Sequence, residues 1–505
     1  MTTARGRRPA DQGDGTFRNP ILPGDRPDPS VLRVGDEYYL TYSSFDASPG
    51  LTIWRSPDLV NWTFVGSALE RPLTTVFAPD LIEHDGRFFI YIPFIPSAWS
   101  DAMTEPQIWV IHADRPDGPW SEPEFTGITR AIDPGHVVGE DGERYLFVNG
   151  IRRTRLSADG LRAVTDLEPA YDGWRYPDEW ITEAYALEGP KFFRRGEWIY
   201  LVSAVGGTGG PATGHMVIVA RSRSVLGPWE NSPRNPVART QSADEAWWSR
   251  GHATILEAVD GSWWMVSHGY EQHYRTLGRQ ALLEPIEWTD DGWPIAPAAD
   301  LAAAIAKPAA VAIEPVAVPA PSDDFAEPAW GERWVFDNPS REEASRAVFS
   351  ADGLVLRAKG TGPADSSPLT TWSMDRSYEV EVELEVSGGA TGGLLLYFND
   401  RLYCGMGWDG QAMASYAGGI RTHWREPAEP GEVIQLRLVN DRHIVTGYHR
   451  RPGEEWARHG VRYDTEGYHS ATVNDLKSLR PALFAAGKGE ARFRRFEYCL
   501  LDEQP

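Results

Sequence analysis

"DPSVLRVGDEYYLTYSS", residues 28–44, has a polar opening, a short apolar strand, a Gly turn and an aromatic-rich strand. The same plan returns in "APDLIEHDGRFFIYIPF" (78–94), "DPGHVVGEDGERYLFVNG" (133–150), "EGPKFFRRGEWIYLVSA" (188–204) and "GHATILEAVDGSWWMVSHG" (251–269). The central "GDE", "DGR", "DGE", "RGE" and "DGS" are hairpin chemistry, since glycine takes positive φ without steric cost. Behind three hairpins stand further strands with a shared ending, "GLTIWRSPDLVNW", "QIWVIHADRPDGPW" and "MVIVARSRSVLGPW". A unit recurring every roughly 50–65 residues and holding about four short strands is a propeller blade. Five units predict an all-β chain with a five-bladed β-propeller over residues 17–298.

Alone, Asp28 reads as a turn former ahead of a strand. The repeat changes that reading. In a propeller the first strand of each blade lines the central channel, so residues opening equivalent strands converge. The openings supply Asp28, Asp133, Glu188 and His252, and the second blade offers Asp80 two places later. Carboxylates gathered on one axis repel each other, so such a set points to chemistry rather than to turns. Two carboxyls facing across a pocket hydrolyse a glycosidic bond when one is protonated and the other ionised. A third nearby raises the acid's pKa by like-charge repulsion.

Composition narrows the partners. A 505-residue chain predicts two or three domains. No apolar run is long enough to span a membrane, and the first fifteen residues lack the apolar segment of a secretory signal. A formal net charge of −23 argues against nucleic acid and anionic membrane and for a small polar substrate. Two cysteines, Cys404 and Cys499, build neither a disulfide framework nor a metal site, and predict a cytoplasmic protein. The 21 tryptophans and 19 tyrosines suit stacking on sugar rings as well as β-cores.

Residues 1–16 read as a frayed tail, and 299–322, rich in Ala, Val and Pro, as an extended connector along the propeller. Residues 323–505 alternate apolar and polar, as in "YEVEVELEVSGG", which predicts a jelly-roll (concanavalin A-like) β-sandwich. Trp408 and Trp424 there read as core or interface residues, with a sugar platform as the alternative.

The chain resembles glycoside hydrolase family 43, in its β-xylosidase and α-L-arabinofuranosidase branch, over nearly its whole length. "NPILPGDRPDPSVLRVGDEYYLTYSSF" is similar to the family's opening and implies Asp28 as general base. "AIDPGHVVGEDGERYL" implies Asp133 as pKa modulator, and "ITEAYALEGPKFF" implies Glu188 as general acid. "RGHATILEAVDGSWWMVSHG" supplies a channel histidine, His252, and "LGRQALLEPIEWTDDGWP" supplies Arg279, implied to hold substrate hydroxyls. The tail "SLRPALFAAGKGEARFRRFEYC" resembles the accompanying sandwich. Three departures blur specificity: Phe77 stands where the family has Trp, Asp133-Pro-Gly replaces Asp-Pro-Ser, and a pocket-closing Gly/Phe loop is missing, with "TVNDLKSLRP" (472–481) in its place.

Glu183, five residues before Glu188, competes for the acid role, and the repeat favours Glu188. Asp80 reads equally as substrate ligand or blade cap, and Phe45 equally as sugar cover or inter-blade packing. Trp99 is a rim candidate for stacking. His252 reads as a buried channel group that ligates water or a structural calcium ion. No cofactor is required by this chemistry, and a homo-oligomer is left open. The expected function is an inverting exo-glycosidase releasing terminal xylose or arabinofuranose from hemicellulose-derived oligosaccharides. The alternatives are a propeller glycosidase acting on arabinan, galactan or fructan, and a non-catalytic sugar-binding propeller.

Overall fold

The computed structural model describes residues 9–297, 300–308, 314–316, 318–340, 342–422, 426–427 and 433–501. Each hairpin of the repeat becomes the inner pair of an antiparallel blade of four strands, to which the second and fourth blades add a two-residue strand, Thr75–Val76 and Ala238–Arg239. The first blade runs Ser30–Val34, Glu37–Thr41, Gly50–Ser56, Thr63–Leu69, and the second Asp80–His84, Arg87–Ile95, Gln107–Ala113, Glu124–Thr129. The third is Gly135–Val138, Arg144–Val148, Arg152–Arg155, Glu168–Pro169. The fourth is Glu188–Arg195, Trp198–Val205, Met216–Ser222, Glu230–Asn231, and the fifth Trp247–Glu257, Trp263–Glu271, Arg279–Trp288, Pro294–Ile295. The first strands of neighbouring blades touch one another all the way round, which makes them the hub.

Burial explains why the ring holds. An apolar cluster fills the gap between each pair of neighbouring blades, for example Leu40 and Trp54 against Val266 and Leu283 between the first and fifth. The N-terminal segment seals that last gap. Ile21 N–H donates to the Ala281 carbonyl at 3.0 Å, Asn19 bonds Leu283 through both its amide atoms, and Arg26 N–H donates to Arg279 O at 2.7 Å.

The C-terminal region is a two-sheet sandwich of nine and seven strands around an apolar core that includes Leu394, Leu436 and Phe493. Trp408 lies in that core at 1% exposure, which rules out a sugar platform there, and Trp424 lies outside the described residues. The nine-stranded sheet also recruits Ala47–Ser48 of the propeller, which pairs with Val335–Asp337. Residues 9–16, expected as part of a frayed tail, pack on the propeller. Asp11 is buried because Lys307 and Asn61 satisfy its carboxylate, and Thr16–Phe17 pairs with Ile305–Ala306.

The segment around 470–480 crosses from sandwich to propeller. Ser470 Oγ meets Tyr270 Oη at 2.8 Å, Leu479 N–H donates to Thr276 O at 2.8 Å, and Lys477 Nζ lies 2.6 Å from Asp46 and 3.1 Å from Asp337. It therefore contacts both the fifth and the first blade at the hub end where the carboxylates gather.

Candidate active site

The openings of three blades share an unusual backbone. Asp28, Asp133 and His252 have φ of 57°, 55° and 51°, in the left-handed region that non-glycine residues rarely occupy. Strain of this kind persists where the surroundings over-determine it, and it collects at functional sites. In the fourth blade Gly189, with φ 62°, holds the equivalent place, so Glu188 stands one residue ahead of the repeat position. Gly189 is required there twice over, since a Cβ would also lie 2.8 Å from His252 Nε2.

Asp28 is buried and held from three sides. Ser43 Oγ donates to Oδ2 at 2.5 Å, Arg279 Nη1 donates to Oδ1 at 3.0 Å, and the Asp28 N–H donates to His268 Nδ1 at 3.0 Å. Burial alone pushes the carboxyl up. Arg279 first, and then His252, outweigh it and hold Asp28 well below the usual carboxylate range. His268 lies 3.1 Å from Oδ1 as well, but burial pulls its pKa down to about 4, so it is neutral there. Its Nδ1 is therefore the acceptor, and the ring proton sits on Nε2, 3.4 Å from Thr208 Oγ1.

His252 bridges two carboxylates. Its Nε2 lies 3.3 Å from Asp133 Oδ2 and its Nδ1 4.0 Å from Asp28 Oδ1. Burial disfavours the cation, yet the Asp28 charge and the hydrogen bond and charge of Asp133 raise its pKa. Gly189 N–H donates to Asp133 Oδ2 at 3.3 Å, which brings Glu188 beside Asp133. Glu188 is pushed up to about 8, first by burial and then by the Asp133 charge. The Arg279 cation, together with His252 whose pKa is raised, thus offsets the repulsion that a carboxylate cluster carries, and Glu188 is pushed toward its protonated form.

Phe45 and Phe77 meet edge to face at 5.7 Å, and the Arg279 guanidinium lies 5.5 Å from the Phe45 ring. Phe45 also exchanges backbone hydrogen bonds with Val76, so it serves both inter-blade packing and the wall beside Asp28. Trp99 is tethered next to it, donating from Nε1 to Asp46 Oδ1 at 2.7 Å. Arg279, expected to hold substrate hydroxyls, is 2% exposed and commits Nη1 to Asp28, leaving Nε and Nη2 buried without a protein acceptor. Glu183 is exposed and accepts from Gly209 N–H at 2.6 Å, outside the carboxylate cluster.

Asp80 does not join the set. Its Oδ1 pairs with Lys191 Nζ at 2.6 Å and its Oδ2 accepts from His136 N–H at 2.7 Å, so the carboxylate is committed to tying blades together. The reading of Asp80 as a substrate ligand is corrected to a buried strut. Ser43, His268 and Lys191 were not singled out from sequence; His268 and Lys191 sit inside blade strands and Ser43 two residues past the end of one, where only contact reveals them. Calcium takes about 6–8 oxygen ligands, and here imidazoles and already bonded carboxylates face one another, with no metal-binding cluster among the described residues.

A family model described as glycosyl hydrolases family 43 matches residues 17–294. The chain belongs to glycosyl hydrolase family 43. Among family 43 relatives, it is 35% identical over 304 residues to the non-reducing end alpha-L-arabinofuranosidase BoGH43B of Bacteroides ovatus, covering 55% of this chain and 53% of that protein. It is 32% identical over 318 residues to a xylan 1,3-beta-xylosidase of Vibrio sp, covering 55% and 57%. The matched part therefore spans about half the length of these curated relatives. The solved structure of Bacteroides ovatus xyloglucan PUL GH43B superposes with a TM-score of 0.84 at 25% identity over 96% of this chain and all of that one. The GH43 BlXynB protein from Bacillus licheniformis gives 0.83 at 25% identity, with the same coverage.

Proposed function

We propose that this chain is an inverting, exo-acting glycoside hydrolase that releases terminal β-D-xylose or α-L-arabinofuranose from short oligosaccharides. In this reading Asp28 is the general base, Glu188 the general acid and Asp133 the residue that keeps the acid protonated. The observation that carries it is the meeting of three carboxyls at the hub, Asp28 bonded to Arg279, and Asp133 bonded to His252 and to the Gly189 N–H next to Glu188, in surroundings that hold Asp28 low and push Glu188 up to about 8. Between those limits Asp28 takes a proton from water as the oxygen attacks the anomeric carbon. Glu188 gives its proton to the glycosidic oxygen as the C–O bond breaks, and the configuration inverts. Solvent then exchanges the two protons back.

The buried N–H groups of Arg279 and the Nδ1 of His252, which lack protein acceptors, are assigned to sugar hydroxyls. In this reading Phe45, Phe77 and Trp99 form the apolar side of the subsite, and exo action is assigned to a narrowing of one end by the 470–480 segment, which contacts Tyr270, Thr276 and Asp46. The named activities of the arabinofuranosidase and xylosidase relatives support a pentose. Both cysteines are buried, in keeping with a cytoplasmic enzyme acting on short imported oligosaccharides. No described helix is long and apolar enough to cross a membrane.

The test is a panel of p-nitrophenyl β-D-xyloside and α-L-arabinofuranoside, with the first-formed anomer followed by proton NMR. Cleavage of at least one, with inverted product, is expected. No cleavage of either, or a retained anomer, overturns the reading.

A second result is expected from Asp133→Asn. The variant loses the negative charge that raises Glu188, so the acid ionises at lower pH. The alkaline limb of kcat/KM, expected near 8 in the parent, should fall by about 1–2 pH units. A limb that stays in place removes Asp133 from the modulator role.

A further inference from the structure

Arg480 belongs to the sandwich, yet its guanidinium ends on Asp25, three residues before Asp28. Nη2 donates to Asp25 Oδ2 at 3.2 Å, Nε donates to Ser478 Oγ at 3.1 Å, and the guanidinium lies 4.3 Å above the Trp372 ring. The other oxygen of Asp25 accepts from the Arg279 N–H at 3.0 Å. Gly278 presses so closely that an added Cβ would lie 2.4 Å from Asp25 Oδ1, and Arg26 N–H holds the Arg279 carbonyl at 2.7 Å. The backbone of Arg279 is therefore clamped by Asp25, while its side chain ends on Asp28 Oδ1 at 3.0 Å. None of these four side chains is more than 10% exposed.

We propose that Arg480 is a positioning residue for the base: through Asp25 and Arg279 it holds Asp28 in working geometry. The proposal rests on the assignment of Asp28 as base. The physical reason is the cost of a buried carboxylate. Asp25 is 1% exposed, and burial drives it toward the neutral form against the charges of Arg480 and Arg279. Without Arg480, Asp25 protonates or draws in water, and in either case its grip on the Arg279 backbone slackens. Among the described residues the Arg279 guanidinium has Asp28 as its one hydrogen-bond acceptor, since Nε and Nη2 have none, so a shift of the backbone that Asp25 grips is passed on to the Asp28 contact. The sandwich thereby becomes part of the catalytic apparatus, although the three carboxyls assigned to the chemistry all lie in the propeller.

The test is Arg480→Met, with Arg480→Gln in its place where the methionine variant does not accumulate folded, and Arg480→Lys as the variant that keeps the cation. Two readouts are taken: the pH profile of kcat/KM on the cleaved p-nitrophenyl pentoside, and a carbon-13 NMR titration of aspartate-carboxyl-labelled protein. The Asp28 signal is assigned by its absence from Asp28→Asn. Loss of the cation should lower kcat/KM at neutral pH about 10- to 100-fold. It should also raise the acid limb and the Asp28 midpoint by about one pH unit, leaving the alkaline limb in place. Arg480→Lys should recover most of both. A merely structural contact would reduce the active fraction equally at every pH, with both limbs and the NMR midpoint unmoved, and that result overturns the proposal. If the intact protein cleaves no pentoside, the proposed activity fails, and the NMR titration still decides the Arg480 link.

Discussion

Asp28→Asn should lower kcat/KM by about 10³-fold or more on every substrate the intact enzyme cleaves, whatever the leaving group. Water must lose a proton as it attacks, and an amide cannot take one. Asparagine is the informative replacement because Asp28 sits at φ 57°, and Asn tolerates the left-handed region about as well as Asp. It also keeps an oxygen for Ser43 or Arg279, so the fold and the sugar subsite should survive. The check is kcat/KM on both an aryl pentoside and an unactivated disaccharide, with thermal unfolding alongside. A variant that keeps more than a tenth of the parent's activity with an unchanged melting temperature would remove Asp28 from the base role.

Glu188→Ala should divide substrates by their leaving groups. An unactivated disaccharide departs as an alkoxide unless the acid protonates it, so its kcat/KM should fall by about 10²–10⁴. A p-nitrophenolate needs little protonation, and on that substrate the loss should be about tenfold or less. The alkaline limb expected near 8 should also vanish on the aryl substrate, because the group that set it is gone. The comparison includes Glu183→Ala, whose carboxylate is exposed and bonded to Gly209 N–H. If that variant splits the substrates instead, the acid has been placed on the wrong residue. Equal losses on both substrates for Glu188→Ala would point to subsite damage rather than to lost proton donation.

The repeat made much of this site legible. Asp28, Asp133 and His252 stand at matching points of matching hairpins and share a left-handed φ within a few degrees, which is the structural imprint of the pattern in sequence. Pattern alone placed Glu188 and Asp80 less well. Glu188 is one residue ahead of the repeat position, because Gly189 occupies the crowded site against the His252 ring. Asp80 is turned onto Lys191 and the His136 N–H, a commitment that depends on which residue the fourth blade brings opposite. Ser43 and His268 carry no local mark, since a serine just past a strand and a histidine inside one are as often core residues as ligands. Trp408 shows the reverse case: an aromatic that suits sugar stacking on paper but fills the sandwich core at 1% exposure.

What the amino-acid order settled by itself was the set of blades, because hairpin turns and the alternation of strand residues are local properties written within a dozen positions. It also singled out acidic residues at the blade openings. The tertiary structure decided which of those carboxyls holds a proton and which does not. Protonation depends on burial and on charges such as Arg279 and His252, which lie hundreds of positions away in the chain from Asp28. It likewise decided that a sandwich residue, Arg480, reaches the propeller hub, since only the docking of two separately formed cores brings position 480 to position 25.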